Sequence, residues 1–361
     1  MRICCHIMIL QSFTHVRSEK AQGGSFTMGS VRLKDIAEEC GVSIATVSRA
    51  LNGLRRDDSK TAAVIRQAAR EMGYVPNAAA LALKTSRSNT IGVLYEDKLD
   101  HEYFSALLDD LRREAGKLGY HLALIGGPDP TQTGYVEQAR CRNLDGVIII
   151  QADFESPEVA RLVTGSLPTV IIDHLYEGSI CIGNDNQESM RQIVRYVWQR
   201  GHRRIGYITG EAGVVTRERL SGFYRACAEL GLCVPEGSVR EGHFRAPEEC
   251  AALIRSLMAD PVGATCILCP DDYSCLGAMW ALKEEGISVP EQVSLVGYDG
   301  IRMGQMIRPR LTTYRQDTAG IAEECMRLLS AAIESPDKWY ARQAIISGKL
   351  VEGETVLGLS R

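Results

Sequence analysis

The sequence predicts an α/β protein in which a small all-helical N-terminal unit precedes a core of two doubly wound α/β subdomains. Three observations support this fold class. Short segments with helical spacing fill residues 31–83, apolar runs of strand length alternate with amphipathic segments over residues 91–355, and that alternation divides near Ile182–Asn186. A chain of 361 residues has room for two or three such folding units.

Composition and charge limit the class of protein. With 45% hydrophobic and 24% charged residues, the chain is typical of globular proteins. No apolar run approaches the roughly 18 residues that cross a bilayer, and the 12 cysteines show no paired framework, so we expect a reducing cytoplasm. Residues 28–88 hold 10 Lys and Arg against 6 Asp and Glu, whereas residues 89–361 hold 28 against 38. This moderate asymmetry favours nucleic acid as a partner of the first segment.

The first 27 residues fit neither unit. The apolar stretch Ile3–Leu10 is short for the core of a signal peptide, and polar sequence without a small-residue cleavage site follows it. We expect residues 1–27 to be a disordered extension or sequence that precedes the true start at Met28. A purine-rich coding sequence for Gln22-Gly23-Gly24 would provide a ribosome-binding sequence at a suitable distance from that start.

Residues 28–76 are expected to form a helix-turn-helix unit. Leu33 and Ile36 recur at helical spacing, and a second helical segment follows a turn at Gly41. Gly41 can adopt the left-handed conformation of a tight turn, and Ser43 has a hydroxyl that can cap the second helix. A third helix would begin after Asp58 or Ser59, either of which can cap it. The pattern alone leaves an ordinary αα-hairpin open as the alternative.

Residues 77–90 are expected to form a hinge and linker. The segment from Asn77 to Leu83 consists of good helix formers, but isolated helices below roughly 12 residues rarely persist in water. An inert linker helix is the alternative.

The core from residue 91 to residue 355 should contain parallel sheets covered by helices on both faces. Seven apolar runs predict its strands: Ile91–Tyr95, His121–Ile125, Val147–Ile150, Thr169–Ile172, Ile205–Thr209, Thr265–Leu268 and Ser294–Gly297. Ligands of such sheets bind at the carboxyl ends of the strands. Asp173, Asp271-Asp272 and Asp299 directly follow strands and are therefore candidate ligand contacts. For Asp271 or Asp272, helix capping is an equally good interpretation.

Other motifs indicate no chemistry. Cys266 and Cys269 have a CxxC spacing, but they lie in a buried strand without a second Cys or His pair, so core packing is favoured over zinc. The glycine pairs lack a phosphate-loop lysine and a full dinucleotide fingerprint. The sequence therefore predicts no enzyme, no cofactor and no metal site.

Long motifs resemble the LacI/GalR family of bacterial transcriptional regulators over about residues 31–355. They are Val31-Arg-Leu-Lys-Asp-Ile-Ala-Glu-Glu-Cys-Gly-Val-Ser-Ile-Ala-Thr-Val-Ser-Arg-Ala-Leu-Asn-Gly53, Gly73-Tyr-Val-Pro-Asn-Ala-Ala-Ala-Leu-Ala-Leu83, Asp145-Gly-Val, Gly201-His-Arg-Arg-Ile-Gly-Tyr-Ile-Thr-Gly210, Val296-Gly-Tyr-Asp299 and Arg310-Leu-Thr-Thr313.

The resemblance implies DNA-binding roles. Ile44, Ala45 and Arg49 would read the major groove, the arginine through a guanine and the apolar pair through contacts such as a thymine methyl. The residues expected at phosphates are Ser43, Thr46, Ser48 and Asn52. The hinge positions expected on DNA are Asn77, Ala80 and Leu83, and Leu83 would wedge into the minor groove. The acidic pair Asp57-Asp58 departs from the family pattern and weakens any backbone contact there.

For the core, the resemblance implies a fold like that of periplasmic sugar-binding proteins, whose chain crosses between subdomains more than once. Arg219 matches the family's effector-binding arginine, and Phe244 matches an aromatic residue that stacks on sugar. Together with Asp173, Asp271 and Asp299 they would form the effector site. Many relatives have Asn at the position of Asp271, so the ligand group there would be a hydroxyl or a cation.

We therefore expect a cytoplasmic, ligand-responsive repressor of carbohydrate-utilisation genes, associated with the nucleoid when bound to DNA. It would bind a near-palindromic operator as a homodimer, respond to a sugar or sugar derivative and have no membrane partner. The alternative is a soluble periplasmic-type sugar-binding protein without DNA binding. Residues 31–83 distinguish the two, because an exported receptor has no use for a helix-turn-helix.

Overall fold

The chain forms two compact units, within residues 1–81 and 82–361. The computed structural model describes residues 31–52, 59–75, 87–96, 101–126, 134–259, 261–336 and 340–359. The predicted fold class is confirmed, because the first unit is helical and the second contains two parallel α/β sheets.

The N-terminal unit, which we call the headpiece, contains α1 (Leu33–Cys40), α2 (Ile44–Asn52) and α3 (Lys60–Glu71). Gly41 has a φ of 62°, the left-handed conformation that a tight turn requires. The hydroxyl of Ser59 caps α3 by accepting from Ala62 N at 3.2 Å. Seven buried side chains form the headpiece core: Ile36, Ala37, Val47, Ala50, Ala62, Ile65 and Ala69.

The second unit is built on two six-stranded sheets. The first has the order β11-β5-β4-β3-β1-β2 and the second β12-β10-β9-β8-β6-β7. The strands of the first sheet are β1 (Thr90–Leu94), β2 (His121–Ile125), β3 (Gly146–Ile150), β4 (Thr169–Ile172), β5 (Ile180–Asn184) and β11 (Arg342–Ile346). Those of the second are β6 (Ile205–Ile208), β7 (Val239–Arg240), β8 (Cys266–Leu268), β9 (Ser294–Asp299), β10 (Thr312–Arg315) and β12 (Lys349–Val351). Of these strand pairs, only β10 with β12 is antiparallel.

Helices cover both sheets. The first subdomain has α4 (Glu102–Lys117), α5 (Tyr135–Cys141), α6 (Pro157–Val163) and α12 (Thr318–Glu334). The second has α7 (Asn186–Gln199), α8 (Val214–Glu229), α9 (Pro247–Met258), α10 (Asp272–Glu284) and α11 (Arg302–Met306). Ile321 and Met326 of α12 pack with Ile91 and Ile148 of the first sheet, although α12 follows the strand β10 of the second.

The chain crosses between the subdomains three times, after β5, after β10 and after β11. Five strands were not among the sequence predictions: β5, β7, β10, β11 and β12. Strand β7 has two residues, and β11 is an edge strand whose residues are all exposed or half-buried, so neither has an apolar run that would reveal it. Among the described residues, no helix is long and apolar enough to span a membrane.

Candidate functional site

Helix α2 exposes one face to solvent, and that face carries both apolar and charged side chains. Ile44 is 52% exposed and Ala45 and Arg49 are also exposed, whereas Val47 and Ala50 on the opposite side are buried in the headpiece core. This division follows from helical periodicity, which places apolar residues three apart on the inner face.

The remaining predicted DNA contacts lie beside this face or outside the described part of the chain. Ser43 is exposed, and its hydroxyl caps α2 by accepting from Thr46 N at 3.2 Å and pairs with Thr46 Oγ1 at 2.9 Å. Ser48 is half-buried. The side chain of Asn52 and the hinge residues Asn77, Ala80 and Leu83 lie outside the described residues.

The carboxyl ends of β5 and β9, from the two sheets, meet at a boundary that we call the cleft, where Asn184 Nδ2 donates to the Tyr298 hydroxyl. Asp173 follows β4 of the first sheet, and Asp299 ends β9 of the second. Their φ angles are 59° and 107°, in a region that residues other than glycine seldom adopt. Backbone strain of this kind persists only where the surrounding structure maintains it, and it concentrates at functional sites.

Arg219 of α8 lies at the centre of this cleft and is only 6% exposed. Its Nε donates to Asn186 Oδ1 at 3.1 Å, and Nη1 donates to the carbonyl of Pro270 at 3.3 Å. Its guanidinium carbon lies 3.4 Å from the centroid of the Tyr298 ring, a cation–π contact that holds the side chain flat. The remaining N–H groups are those with which an arginine binds ligand oxygens.

Asp173 joins residues that are distant in the sequence. Its Oδ2 accepts from the Tyr103 hydroxyl at 3.3 Å, and its Oδ1 accepts from Asn184 N at 3.4 Å. Burial raises the pKa of Asp173, and nearby Arg219 opposes that rise. Burial and the carboxylates of Asp173 and Asp299 raise the pKa of Tyr103, so this hydroxyl remains a donor.

Asp299 has one carboxylate oxygen engaged, since Oδ1 accepts from Gln316 Nε2 at 2.7 Å. Burial raises the pKa of Asp299 to about 7, against a lowering effect of Arg219 and a further rise from Asp271. This carboxyl therefore titrates near neutrality, as ionisable groups at functional sites often do.

Tyr298 links the two subdomains beneath the cleft. Its hydroxyl accepts from Asn184 Nδ2 at 2.5 Å and pairs with Ser189 Oγ at 2.8 Å. Asn184 belongs to the first sheet and Ser189 to a helix of the second subdomain. A change in the position of one subdomain would therefore alter hydrogen bonds at the floor of this cleft.

Asp271 caps α10, as one of the two sequence interpretations expected. Its Oδ1 accepts from Ser274 N at 2.7 Å, and its Oδ2 accepts from Ser274 Oγ and from Arg245 N. Asp272 holds the end of β9 instead, by accepting from Thr313 Oγ1 at 2.6 Å and from Ile301 N at 2.8 Å. Both carboxylates thus have structural partners.

Phe244 lies at the same edge of the second sheet. Its N–H donates to Glu211 Oε2 at 2.9 Å, and its ring centroid is 5.9 Å from the guanidinium carbon of Arg219. The ring lies directly against Gly210, where a Cβ would collide with it. Glycine at position 210 is therefore required for the aromatic ring to occupy this position.

The structure thus places Asp173, Arg219, Phe244 and Asp299 around one cleft, with Asp271 behind it as a helix cap. Sequence reasoning did not identify the following residues of the site: Tyr103, Asn184, Asn186, Glu218, Tyr298 and Gln316. Tyr298 immediately precedes Asp299 in the motif Val296-Gly-Tyr-Asp299, and its position beside a candidate ligand residue could have identified it as a site residue. Tyr103, Asn184, Asn186 and Glu218 lie in helices or strands whose pattern indicates only packing, and Gln316 lies in the connection between β10 and α12.

Two family models match the chain. Residues 32–77 match the bacterial regulatory proteins of the lacI family. Residues 194–356 match the periplasmic binding protein-like domain.

Curated relatives and solved structures agree with these matches. The chain is 30% identical over 342 residues to the HTH-type transcriptional repressor PurR of Vibrio cholerae, covering 91% of this chain and 99% of the relative. It is 28% identical over 315 residues to the repressor of the same name from Escherichia coli, covering 82% of this chain and 89% of the relative.

The fold is similar to that of the lac repressor, solved as a dimer bound to operator and the anti-inducer ONPF, with a TM-score of 0.73, 24% identity and coverage of 91% of this chain and 99% of that one. It is also similar to that of a LacI family regulator from Enterococcus faecium with bound ribose, with a TM-score of 0.66, 22% identity and coverage of 75% of this chain and 100% of that one. The chain belongs to the lacI family of bacterial regulatory proteins, and it is a DNA-binding transcriptional repressor rather than an enzyme.

Proposed function

We propose that this repressor responds to a small polyhydroxylated effector, a sugar or sugar derivative, bound in the cleft around Arg219. The observation that carries the proposal is the convergence of Asp173 and Asp299, from opposite sheets, on one buried arginine. Carboxylates accept hydrogen bonds from hydroxyls and guanidinium donates to them, which suits paired hydroxyl groups. Solved relatives hold cellobiose or ribose, which supports a carbohydrate effector here.

The effector would act by differential binding. A ligand shifts an equilibrium between two arrangements only by the difference in its affinity for them. Because its contacts come from both subdomains, the effector would bind one arrangement of the subdomains more tightly than the other. Regulation of carbohydrate-utilisation genes follows from the proposed effector class.

On DNA, the exposed face of α2 would enter the major groove. Ile44 and Ala45 would make apolar contacts with bases, and Arg49 would bond a guanine at O6 and N7. The residues proposed at the phosphates are Ser43, Thr46, Ser48 and Asn52. For the hinge, the proposed contacts remain Asn77, Ala80 and Leu83, with Leu83 as the minor-groove wedge.

A second copy of this chain would cover an apolar surface on the second subdomain. Tyr273 and Trp280 of α10 are 56% and 74% exposed, and Met303 of α11 is 55% exposed. They border an apolar groove of about 590 Å³ between these helices. Exposed apolar patches of this kind mark interaction sites. The lac repressor of the same fold is a dimer on its operator, so we propose a homodimer that binds a near-palindromic operator in the cytoplasm.

The test uses the full chain and an operator selected from random duplexes. A thermal-shift screen against sugars identifies the effector, because a ligand stabilises the native state that binds it. Operator affinity is then measured across a titration of that effector, for the wild type and for Arg219→Ala and Arg219→Lys. We expect wild-type operator affinity to change and both variants to bind operator but to respond weakly. An unchanged response in both variants would place the effector site elsewhere.

The proposed homodimer is tested separately, by fluorescence and by sedimentation. Trp280 is one of three tryptophans, so its burial on association should shift the emission of the protein to shorter wavelength. Sedimentation of Trp280→Arg should show a monomer, whereas a stable wild-type monomer on operator DNA at micromolar concentration would contradict the proposal.

A further inference from the structure

A small cavity lies between the two subdomains beside the effector cleft. Asp173 and Asn184 border it from the first sheet, and Asn186, Val214 and Glu218 border it from helices of the second subdomain. Its volume is about 20 Å³, which is enough for one group of the size of a water molecule, since such a group needs roughly 10–15 Å³.

Asp173, Asn184 and Glu218 bring more acceptors than donors to the cavity, whose lining also includes His174 and Gln343. Asn184 is 2% exposed, its Nδ2 donates to Tyr298, and its Oδ1 is buried without a hydrogen-bond partner. Asn186 donates its Nδ2 to Glu218 Oε2 at 2.9 Å and accepts from Arg219 through Oδ1. The Asp173 carboxylate receives only long bonds, at 3.3 and 3.4 Å. A group that enters the cavity must therefore donate hydrogen bonds, because an unsatisfied buried acceptor is unfavourable.

The charge around the cavity is negative. Asp173 and Glu218 contribute two carboxylates, and burial lowers the pKa of His174, which also lines the cavity. Arg219 is the nearest buried cation in the described part of the chain, and it donates to an amide oxygen and a backbone carbonyl rather than to a carboxylate.

A metal ion does not account for these features. Among the described residues, no group of three or more His, Cys, Asp or Glu side chains is arranged to hold one. A primary ammonium group has three N–H donors, no acceptor and one positive charge, and it is close to water in size. A primary ammonium group therefore suits the acceptors that line the cavity, their negative charge and the volume of the cavity.

We propose that the effector carries a primary ammonium group, as an amino sugar does, and that this group occupies the cavity bounded by Asp173, Asn184 and Glu218. This inference rests on the proposed effector cleft. Asp173 connects the two places, because its other oxygen faces Tyr103 in the cleft. The remainder of the effector then lies beside Arg219 and Asp299.

The first test uses methylammonium chloride as the probe on the full chain, with tetramethylammonium chloride at equal concentration as the control salt. Thermal unfolding should shift upward with methylammonium only, because tetramethylammonium has no N–H and is too large for the cavity. Glu218→Gln should abolish the shift, whereas Glu236→Gln, a change of the same kind at an exposed loop position, should retain it. An equal response to both salts, or an unchanged shift in Glu218→Gln, would show that the cavity holds only water.

The second test separates this inference from the proposed function. Glucosamine and galactosamine are compared with glucose, galactose and their N-acetyl derivatives for their effect on operator affinity. We expect the better of the two free amines to change operator affinity at a concentration at least tenfold lower than its own parent sugar and its N-acetyl derivative require. This tenfold advantage should be lost in Glu218→Gln. If neutral sugars act as well as amines, the ammonium inference is wrong and the proposed function stands. If the wild type binds no operator, the proposed function fails, and the methylammonium shift still decides whether the cavity accepts an ammonium group.

Discussion

The proposed DNA-binding face of the headpiece and the proposed effector cleft are constructed in opposite ways. The headpiece face consists of exposed side chains from one helix, between Ser43 and Arg49. The cleft instead uses half-buried and buried groups that lie between Tyr103 and Gln316 in the sequence and come from both sheets. The comparison shows that a site on one helix is determined by local periodicity, whereas a site between sheets is determined by topology.

The two regions also differ in the size of the core that supports them. Seven buried side chains hold the headpiece together, whereas four separate clusters of buried side chains support the second unit. A small domain has little stability beyond what it needs to fold. The same loss of packing should therefore have a larger functional effect in the headpiece.

The largest effect is expected from Ile36→Ala, at a fully buried position of the headpiece core. Such a substitution typically costs about 2–5 kcal/mol, which is comparable with the total stability of so small a unit. Operator binding should be lost while effector binding by the second unit is retained. Circular dichroism with operator and effector titrations measures both. Val64→Ala, where the side chain is 60% exposed, should leave operator affinity unchanged, and an equal loss in both variants would contradict the assignment of the core.

Arg49→Ala should have the next largest effect. Loss of a bidentate arginine–guanine contact costs about 1–3 kcal/mol and relaxes specificity at that base. Competition with operators mutated at single positions measures the affinity and the relaxed position. Arg70→Ala is the control, because Arg70 is an exposed arginine of α3 that bonds Gln67 within its own helix. An equal loss on operator and random DNA would contradict a base-reading role for Arg49.

Asp299→Asn should change the pH dependence of effector affinity. The carboxyl has a pKa of about 7, and a hydroxyl donor of the effector prefers the ionised form. Wild-type affinity should thus fall about tenfold per pH unit, roughly 1.4 kcal/mol, as the pH decreases below 7, and it should level off above. Asparagine tolerates positive φ and does not titrate, so the variant should bind weakly with a flatter profile. An identical profile in the wild type and variant would show that other carboxyls control binding.

The raised pKa of Asp299 also determines how the stability of the folded protein changes with pH. Because the pKa of Asp299 is raised in the folded protein, the folded state holds a proton that the unfolded state has released between about pH 4 and pH 7. Asp299 therefore lowers stability progressively as the pH rises through this range. Asp299→Asn should be relatively more stable than the wild type at pH 8 than at pH 5, as measured by urea unfolding.

The smallest effect is expected from Ser59→Ala at the start of α3. Loss of an N-cap hydroxyl costs about 1 kcal/mol, so the headpiece should unfold at a lower temperature while base specificity stays unchanged. Ser59→Asp should keep the unfolding temperature of the headpiece at the wild-type value, since aspartate is also a good cap. If Ser59→Ala leaves the unfolding temperature of the headpiece unchanged, the hydrogen bond from Ala62 N does not contribute to stability.

What the sequence could predict follows from the same contrast. Val47 and Ile44 lie on opposite faces of α2 because a helix repeats every 3.6 residues, so the headpiece could be predicted from local pattern. Asp173 and Asp299 could be predicted as strand-end carboxylates, but their proximity depends on how the two sheets pack after the chain crosses from one to the other beyond β5. Glu218 and Asn184 could not be predicted as site residues, since nothing in their local pattern shows that α8 and β5 meet.

Asp271 illustrates the remaining ambiguity. A carboxylate between a strand and a helix suits a ligand site and a helix cap equally well, since both require an acceptor at that position. The hydrogen bond from Ser274 N and the approach of Arg245 N favour the cap. Arg245 is distant in the sequence, so this second donor could not be anticipated.

The return of the chain to the first sheet also determines the order in which the protein can fold during synthesis. Strands β1 to β5 emerge from the ribosome early, but α12, which packs against them, ends at Glu334, and the edge strand β11 ends at Ile346. The apolar side chains that α12 covers remain exposed while about 150 further residues are translated, which takes roughly 8–30 s at 5–20 residues per second. A nascent chain with such a surface is a natural substrate for chaperones, and the first subdomain cannot complete its sheet until β11 has been translated.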